Sequence, residues 1–115
     1  MPPLNTMTSL ERQFHQEMLD GSMELRQKHR YNPTYFLGML DKHGGVEAVR
    51  LLLKATSSQA GLTSLWEIGR MDLSCESAVL NPKYASLFTE AEKREARKRL
   101  RAVNYTPTFD REAAR

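Results

Sequence analysis

The side chains whose chemistry stands out are six cations that lie close together near the C-terminal end. Residues 90–103 contain six Lys or Arg against three Glu, whereas residues 1–89 hold nine of each sign and residues 104–115 hold two of each. The net charge of +3 at pH 7 therefore comes from this one segment. Clustered ammonium and guanidinium groups bind phosphates, so the chemistry available here is contact with a polyanion.

Helical periodicity places four of these cations on one side of a helix. With Ala96 taken as the inward direction, Arg94, Arg97, Lys98 and Arg101 lie about 100° to 200° around the axis and form an outward basic stripe. Such a stripe can meet successive phosphates of DNA or RNA without reading sequence. The alternative is a solvated helix face on which Glu90–Arg94 and Glu95–Arg99 form i,i+4 ion pairs. Both interpretations stay open at the level of sequence.

A second group of polar residues follows the only tryptophan. Arg70 and Asp72 bracket a short turn next to Trp66 and Glu67. A buried network of arginine and carboxylate groups that fixes short helices is the interpretation we favour, and a ligand site is the alternative.

The sequence contains no pattern typical of a metal or catalytic centre. His15, His29 and His43 are fourteen residues apart, and Cys75 is the only sulfur ligand, whereas a zinc site usually needs four ligands, often closely spaced. Cys75 falls in the first turn of a predicted helix, where the dipole can lower a thiol pKa, but an inert cysteine is the interpretation we favour. We therefore expect no metal, no cofactor and no enzymatic activity.

Composition is typical of a globular protein. The chain has 115 residues, of which 40% are hydrophobic and 27% charged, enough for one domain with a core of its own. No run approaches the ~18 apolar residues that span a bilayer, so we expect no membrane contact. One cysteine and the lack of an export signal predict a cytoplasmic location. The predicted boundaries are a loose leader over 1–7, a single helical domain over 8–103 and a C-terminal tail over 104–115.

Start and stop signals in the first half predict three helices. A first helix begins at Thr8 or Ser9, with Glu11 placed to complete a cap, and ends near Arg30. Asn32 is the predicted N-cap of a second helix with Pro33 at its first position. "GG" at 44 and 45 then makes a corner in which the first glycine adopts a left-handed conformation, and a third helix follows.

The second half contains shorter helices. A polar loop over 55–61 precedes a short helix around Leu65, and Ser74 is the predicted N-cap of another. Thr89 and Glu92 form a capping box for the last helix, whose inner face contains Ala96, Leu100 and Val103. Because no stretch alternates as a strand would, the predicted fold is all-α, a compact bundle of five to six helices.

Three stretches together carry a resemblance: "YNPTYFLGMLDKHGGVEAVRLLL", "GLTSLWEIGRMDLSCESAVL" and "LFTEAEKREARKRL". In this order they are similar to a small all-helical segment of many uncharacterised bacterial proteins, with the resemblance covering about residues 31–100. That segment occurs as a small standalone protein or as an accessory region beside nuclease or restriction-type domains. The resemblance implies a nucleic-acid context and supplies no catalytic residue.

The residues and the resemblance together predict a contact module. We expect a non-enzymatic helical accessory module that contacts nucleic acid, or a nucleic-acid enzyme such as a nuclease, through its basic C-terminal helix. The alternative is a protein-interaction or homo-oligomerisation module, in which Met18, Leu19 and Met23 or the aromatic tail 105–109 form an apolar patch.

Overall fold

Helices make up nearly all of the regular structure, as the capping signals predict. The computed structural model describes residues 8–55 and 59–107. Its elements are α1 (Ser9–His29), α2 (Thr34–His43), α3 (Gly45–Lys54), α4 (Gln59–Glu67), a 3-10 segment (Met71–Leu73), α5 (Cys75–Leu80), a second 3-10 segment (Pro82–Leu87) and α6 (Glu90–Ala102). No strand occurs in these ranges, and the predicted all-α fold of five to six helices is confirmed. The predicted leader 1–7 and the tail beyond 107, including Phe109, lie outside the described residues.

Contacts between residues divide the chain into two units, Met1–Leu52 and Leu53–Arg115. The division falls within α3. The expectation of a single domain over 8–103 stays a prediction.

The first unit begins with the long helix α1. The Glu11 amide donates to Thr8 Oγ1 at 3.1 Å, and the Thr8 amide donates to Glu11 Oε1 at 3.1 Å, which completes the predicted capping box. Arg30 ends the helix with a left-handed φ of 53°. The predicted single helix from Thr8 to Arg30 is therefore confirmed. Its inner side buries apolar residues that include Phe14, Met18 and Leu25.

The predicted Asn32 cap of α2 is wrong. Pro33 occupies the N-cap position, and no side chain caps the helix. Instead the Thr34 amide donates to the Asn32 carbonyl at 2.8 Å, and Pro33 has φ −79° and ψ 58°. These values define an inverse γ-turn, which suits the restricted φ of proline. Because this turn already satisfies the Thr34 amide, the Asn32 side chain is not needed there.

The corner between α2 and α3 uses its two glycines for different reasons. Gly44 has the predicted positive φ, 81°, but its ψ of 165° places it in an extended region reserved for glycine rather than in the left-handed helical region. A Cβ on Gly45 would lie 2.7 Å from the Cα of His15. The start of α3 therefore packs directly against the backbone of α1.

In the second unit α4 starts earlier than predicted. Residues 56–58 of the expected loop lie outside the described residues, and Gln59, Ala60 and Gly61 belong to the helix. Gln and Ala favour a helix, and one glycine costs only about 1 kcal/mol relative to alanine, so the helix tolerates Gly61. Trp66 lies on the outside of α4 and is 57% exposed.

Nearby side chains cap the starts of the remaining helices. The Ser74 hydroxyl accepts from the Ser77 amide at 3.1 Å and begins α5. The Asn81 side chain accepts from the Lys83 amide at 3.0 Å, although the segment it begins is a 3-10 helix. Thr89 and Glu92 form the predicted capping box of α6. The buried apolar residues described in this unit include Leu53, Leu65, Met71, Val79, Leu80, Tyr84, Phe88, Ala96 and Leu100.

Two glycine substitutions test the close approach of α1 and α3. Gly45→Ala should lower the free energy of unfolding by about 1 to 3 kcal/mol, because its methyl group collides with backbone atoms of His15. Gly38→Ala in α2 is the control, because a Cβ there meets no described atom within 4 Å and alanine favours the helix by roughly 0.5 to 1 kcal/mol. Urea denaturation in dilute solution measures both. A Gly45→Ala chain as stable as the native one would contradict this packing.

Candidate nucleic-acid interface

The exposed cations on α6 lie opposite its buried face. Ala96 and Leu100 are buried, and α6 packs mainly against α5. Arg94, Lys98 and Arg101 are exposed on the other side. The fourth residue of the predicted stripe, Arg97, is half-buried and interacts within the chain. We call Arg94, Lys98 and Arg101 the exposed stripe.

Glu90 and Glu92 are engaged near the start of α6. Glu90 accepts from Lys93 Nζ at 3.3 Å, and Glu92 accepts from the Thr89 amide at 2.8 Å. The predicted Glu90–Arg94 pair is wrong, because Lys93, at the equally close i+3 position, takes this carboxylate. Arg94 therefore remains exposed.

The third acid of α6, Glu95, is paired with Arg99. Glu95 Oε2 accepts from Arg99 Nε at 3.2 Å, which confirms the predicted i,i+4 pair. The three cations of the exposed stripe form no ion pair with any residue in 8–55 or 59–107. At 100° and 1.5 Å per residue they share a sector of about 60° and a length of about 10 Å. The outcome is a short positively charged surface whose three cations have no ion-pair partner among the described residues, with the exposed Glu90 at its N-terminal edge bonded to Lys93 instead.

Arg99, predicted only as a member of an i,i+4 pair on a solvated face, makes several contacts within the chain. Its side chain is 11% exposed. Besides Glu95, its Nη2 donates to the carbonyl oxygens of Leu53 at 2.7 Å and Ala55 at 2.8 Å, and its Nη1 lies 3.6 Å from Glu76 Oε2. The guanidinium therefore holds the end of α3, α5 and α6 together within the second unit. These contacts form a buried arginine–carboxylate network in the second unit.

Burial controls the charge of Glu76. Desolvation raises its pKa above the usual glutamate value, and the neighbouring Glu95 carboxylate acts in the same direction. A backbone hydrogen bond and Arg99 lower the pKa, but the effect of burial is larger. The Arg99–Glu76 contact therefore contains a carboxyl that gains a proton more readily than an exposed one.

The predicted network around Arg70 is only partly assembled, and it lies at the surface. Arg70 Nε and Nη2 donate to Asp72 Oδ1 and Oδ2, each at 3.1 Å, in a bidentate pair. The Asp72 side chain is 56% exposed, so this pair is not buried as expected. Glu67 is exposed at the end of α4. Arg70 is half-buried and Asp72 is exposed, so the pair is partly in contact with water. A ligand role for Arg70, Asp72 and Glu67 stays a prediction.

Cys75 begins α5 and is half-buried. Desolvation raises the pKa of its thiol well above the usual value, and the Glu76 carboxylate raises it further, against a smaller effect of a backbone hydrogen bond. The helix dipole therefore does not activate this thiol, and the observation favours the inert cysteine.

Other candidate surfaces are less well formed. Met18, predicted as part of an apolar patch, is buried in α1, while Leu19 and Met23 are half-buried. Within residues 8–55 and 59–107, no three His, Cys, Asp or Glu side chains come together as a metal site. In the same ranges, every helix is too short or too polar to cross a bilayer.

Comparison of this chain with protein-family models, curated proteins and solved structures gives no match. The resemblance to the bacterial helical segment therefore stays a prediction.

Replacing Arg99 tests the network. Arg99→Met keeps an apolar stem but leaves the Glu76 carboxyl and two carbonyls without this donor, and it should cost about 3 to 5 kcal/mol of unfolding free energy at pH 7. Arg94→Met, at an exposed position of the same helix, should change stability by only about 0.5 kcal/mol. In the double variant Arg99→Met with Glu76→Met, a large part of the loss should be recovered. Equal effects of the two single arginine variants would refute a network role for Arg99.

The raised pKa of Glu76 predicts how the free energy of unfolding changes with pH. Because its pKa is raised in the folded chain, unfolding releases a proton in the window above the usual glutamate pKa of about 4.3. The stability that Glu76 contributes is present below this window and is lost as pH rises through the folded pKa. The native chain should therefore lose stability relative to Glu76→Gln between pH 4 and 7, by about 1.4 kcal/mol for each tenfold change in proton affinity. Urea denaturation at several pH values measures this difference. A native chain that becomes more stable relative to Glu76→Gln as pH rises would show that folding lowers the pKa of Glu76 instead.

Proposed function

We propose that this chain is a helical accessory module, without catalysis of its own, that contacts nucleic acid through the exposed stripe on α6. The observation that supports this proposal is that Arg94, Lys98 and Arg101 are exposed on one face while each glutamate of α6 has a hydrogen-bonding partner elsewhere. On a solvated helix face we would expect Glu90, which lies on the same side one turn before Arg94, to pair with it, but Glu90 bonds to Lys93.

The side chains of the exposed stripe fit phosphate better than bases. Arginine and lysine bind phosphate oxygens, whereas sequence is read by side chains that reach base edges. Neither Asn nor Gln occurs between residues 90 and 102, and neither does an aromatic residue on which a base could stack. The contact should therefore be independent of sequence and work through charge.

Three phosphate contacts give only weak binding by themselves. Weak contact of this kind suits a module that works in the cytoplasm together with a nucleic-acid enzyme such as a nuclease and adds affinity to the complex. The resemblance to accessory segments beside nuclease-type domains supports the same role.

The salt dependence of binding to a labelled DNA duplex tests this proposal. For three displaced counterions, log K should fall with log salt with a slope of about −2.7, or about fortyfold between 50 and 200 mM salt. The variant Arg94→Gln, Lys98→Gln, Arg101→Gln should bring this slope close to zero. Fluorescence anisotropy at several salt concentrations between 50 and 200 mM measures the slope for both chains.

A matched control separates the exposed stripe from net charge. Arg26, Lys28 and Lys54 are also exposed, but they lie on other helices or on different sides of one helix. Replacing these three residues by Gln removes the same total charge. The slope of log K against log salt should then stay close to that of the native chain. Equal losses in the two triple variants, or no binding by the native chain at low salt, would refute the proposal.

A further inference from the structure

The exposed stripe runs along the middle of the exposed side of α6. At about 100° per residue and with Ala96 at 0°, its three cations lie between about 140° and 200° around the axis. The other exposed residues of this helix lie to either side of them, with Glu90 at about 120°, Ala91 at about 220° and Ala102 at about 240°. The positive charge therefore occupies the middle of the side that a partner meets.

The two edges of this side present alanine and glutamate at the surface. Arg97, which follows Glu90 at about 100°, is half-buried and interacts within the chain. Beyond Ala102 the next residue around the axis is Glu95, which accepts from Arg99 at 3.2 Å. Within α6, the cations that face solvent without an ion-pair partner are therefore arranged as one line, not as two rows.

A helix that enters the major groove of DNA needs a different arrangement of charge. This groove is about 12 Å wide, so the phosphates of the two strands lie beside the two flanks of a helix within it. Cations on both edges of the helix then contact phosphates and fix its position. The edges of α6 lack such cations, and a single line of charge cannot reach both walls of the groove.

We infer that the exposed stripe binds one sugar–phosphate strand, with its three cations on neighbouring phosphates of that strand. This inference rests on the proposed contact with nucleic acid. The helix rise separates Arg94 from Lys98 by about 6 Å and Lys98 from Arg101 by about 4.5 Å along the axis. Their long side chains can adapt these separations to the phosphates of a strand. Because no second strand is needed, the ligand class includes single-stranded as well as duplex DNA.

Fluorescence anisotropy of the full chain tests this inference with a labelled DNA strand that has no self-complementary stretch, and with the duplex of the same strand. For three phosphate contacts, the slope of log K against log salt should be about −2.1 for the single strand and about −2.7 for the duplex. The affinities at about 50 mM salt should agree within about tenfold. A duplex that binds while the single strand does not would overturn the inference and leave the proposed function intact. If neither ligand binds at low salt, the proposed function fails as well.

Substitutions at the edges of the exposed side separate contact with one strand from insertion into a groove. The double variant Ala91→Gln with Ala102→Gln adds two exposed side chains without a change of charge. On one strand these side chains stay in water, so the duplex affinity should change by less than about twofold. A larger loss in this variant would overturn the inference, because walls of a groove would then meet the edges of α6.

Arg94→Gln is the matched variant, because it introduces the same residue in the middle of the exposed side. It should reduce the steepness of the duplex slope by about 0.9, the value of one phosphate contact. The duplex affinity should also be the same for sequences rich and poor in guanine. An affinity that depends on guanine content would overturn the inference, because arginine and lysine contact guanine from within the major groove.

Discussion

A buried guanidinium has to be neutralised, and the second unit is arranged around this requirement. Arg99 is 11% exposed and meets it with two backbone carbonyls, Glu95 and Glu76. The same arrangement shapes the surface of α6, because Glu95 is turned toward Arg99 and away from the outward cations. With the other two glutamates held at the start of the helix, Arg94, Lys98 and Arg101 face solvent without an acid partner among the described residues. The interaction that anchors α6 thus also makes its charge available to a partner.

Local signals were sufficient to predict most of the helices. The capping boxes at Thr8 and Thr89 and the Ser74 cap each involve atoms three residues apart, so the sequence contains both partners. Pro33 shows the limit of such signals, because an asparagine before a proline fits both a cap and a γ-turn. Only the backbone conformation decides between them.

Long-range contacts could not be predicted in this way. Arg99 donates hydrogen bonds to carbonyls 44 and 46 residues away. Because every residue has a backbone carbonyl, the sequence does not indicate which ones accept them. The sequence instead favours a buried network at Arg70, where an arginine and an aspartate are neighbours, although Asp72 of that pair is exposed. Gly38 and Gly45 are likewise indistinguishable as letters, yet one has open space beside it and the other touches a backbone.

The central claim is that the uncompensated cations of α6 are the surface that meets nucleic acid. The most direct measurement is an amide ¹H–¹⁵N NMR titration of the full chain with a short DNA duplex at low salt. Shift changes should concentrate in α6 around residues 94, 98 and 101 and disappear when salt is added. Changes centred on another element, or a spectrum that the duplex leaves unchanged, would contradict the claim.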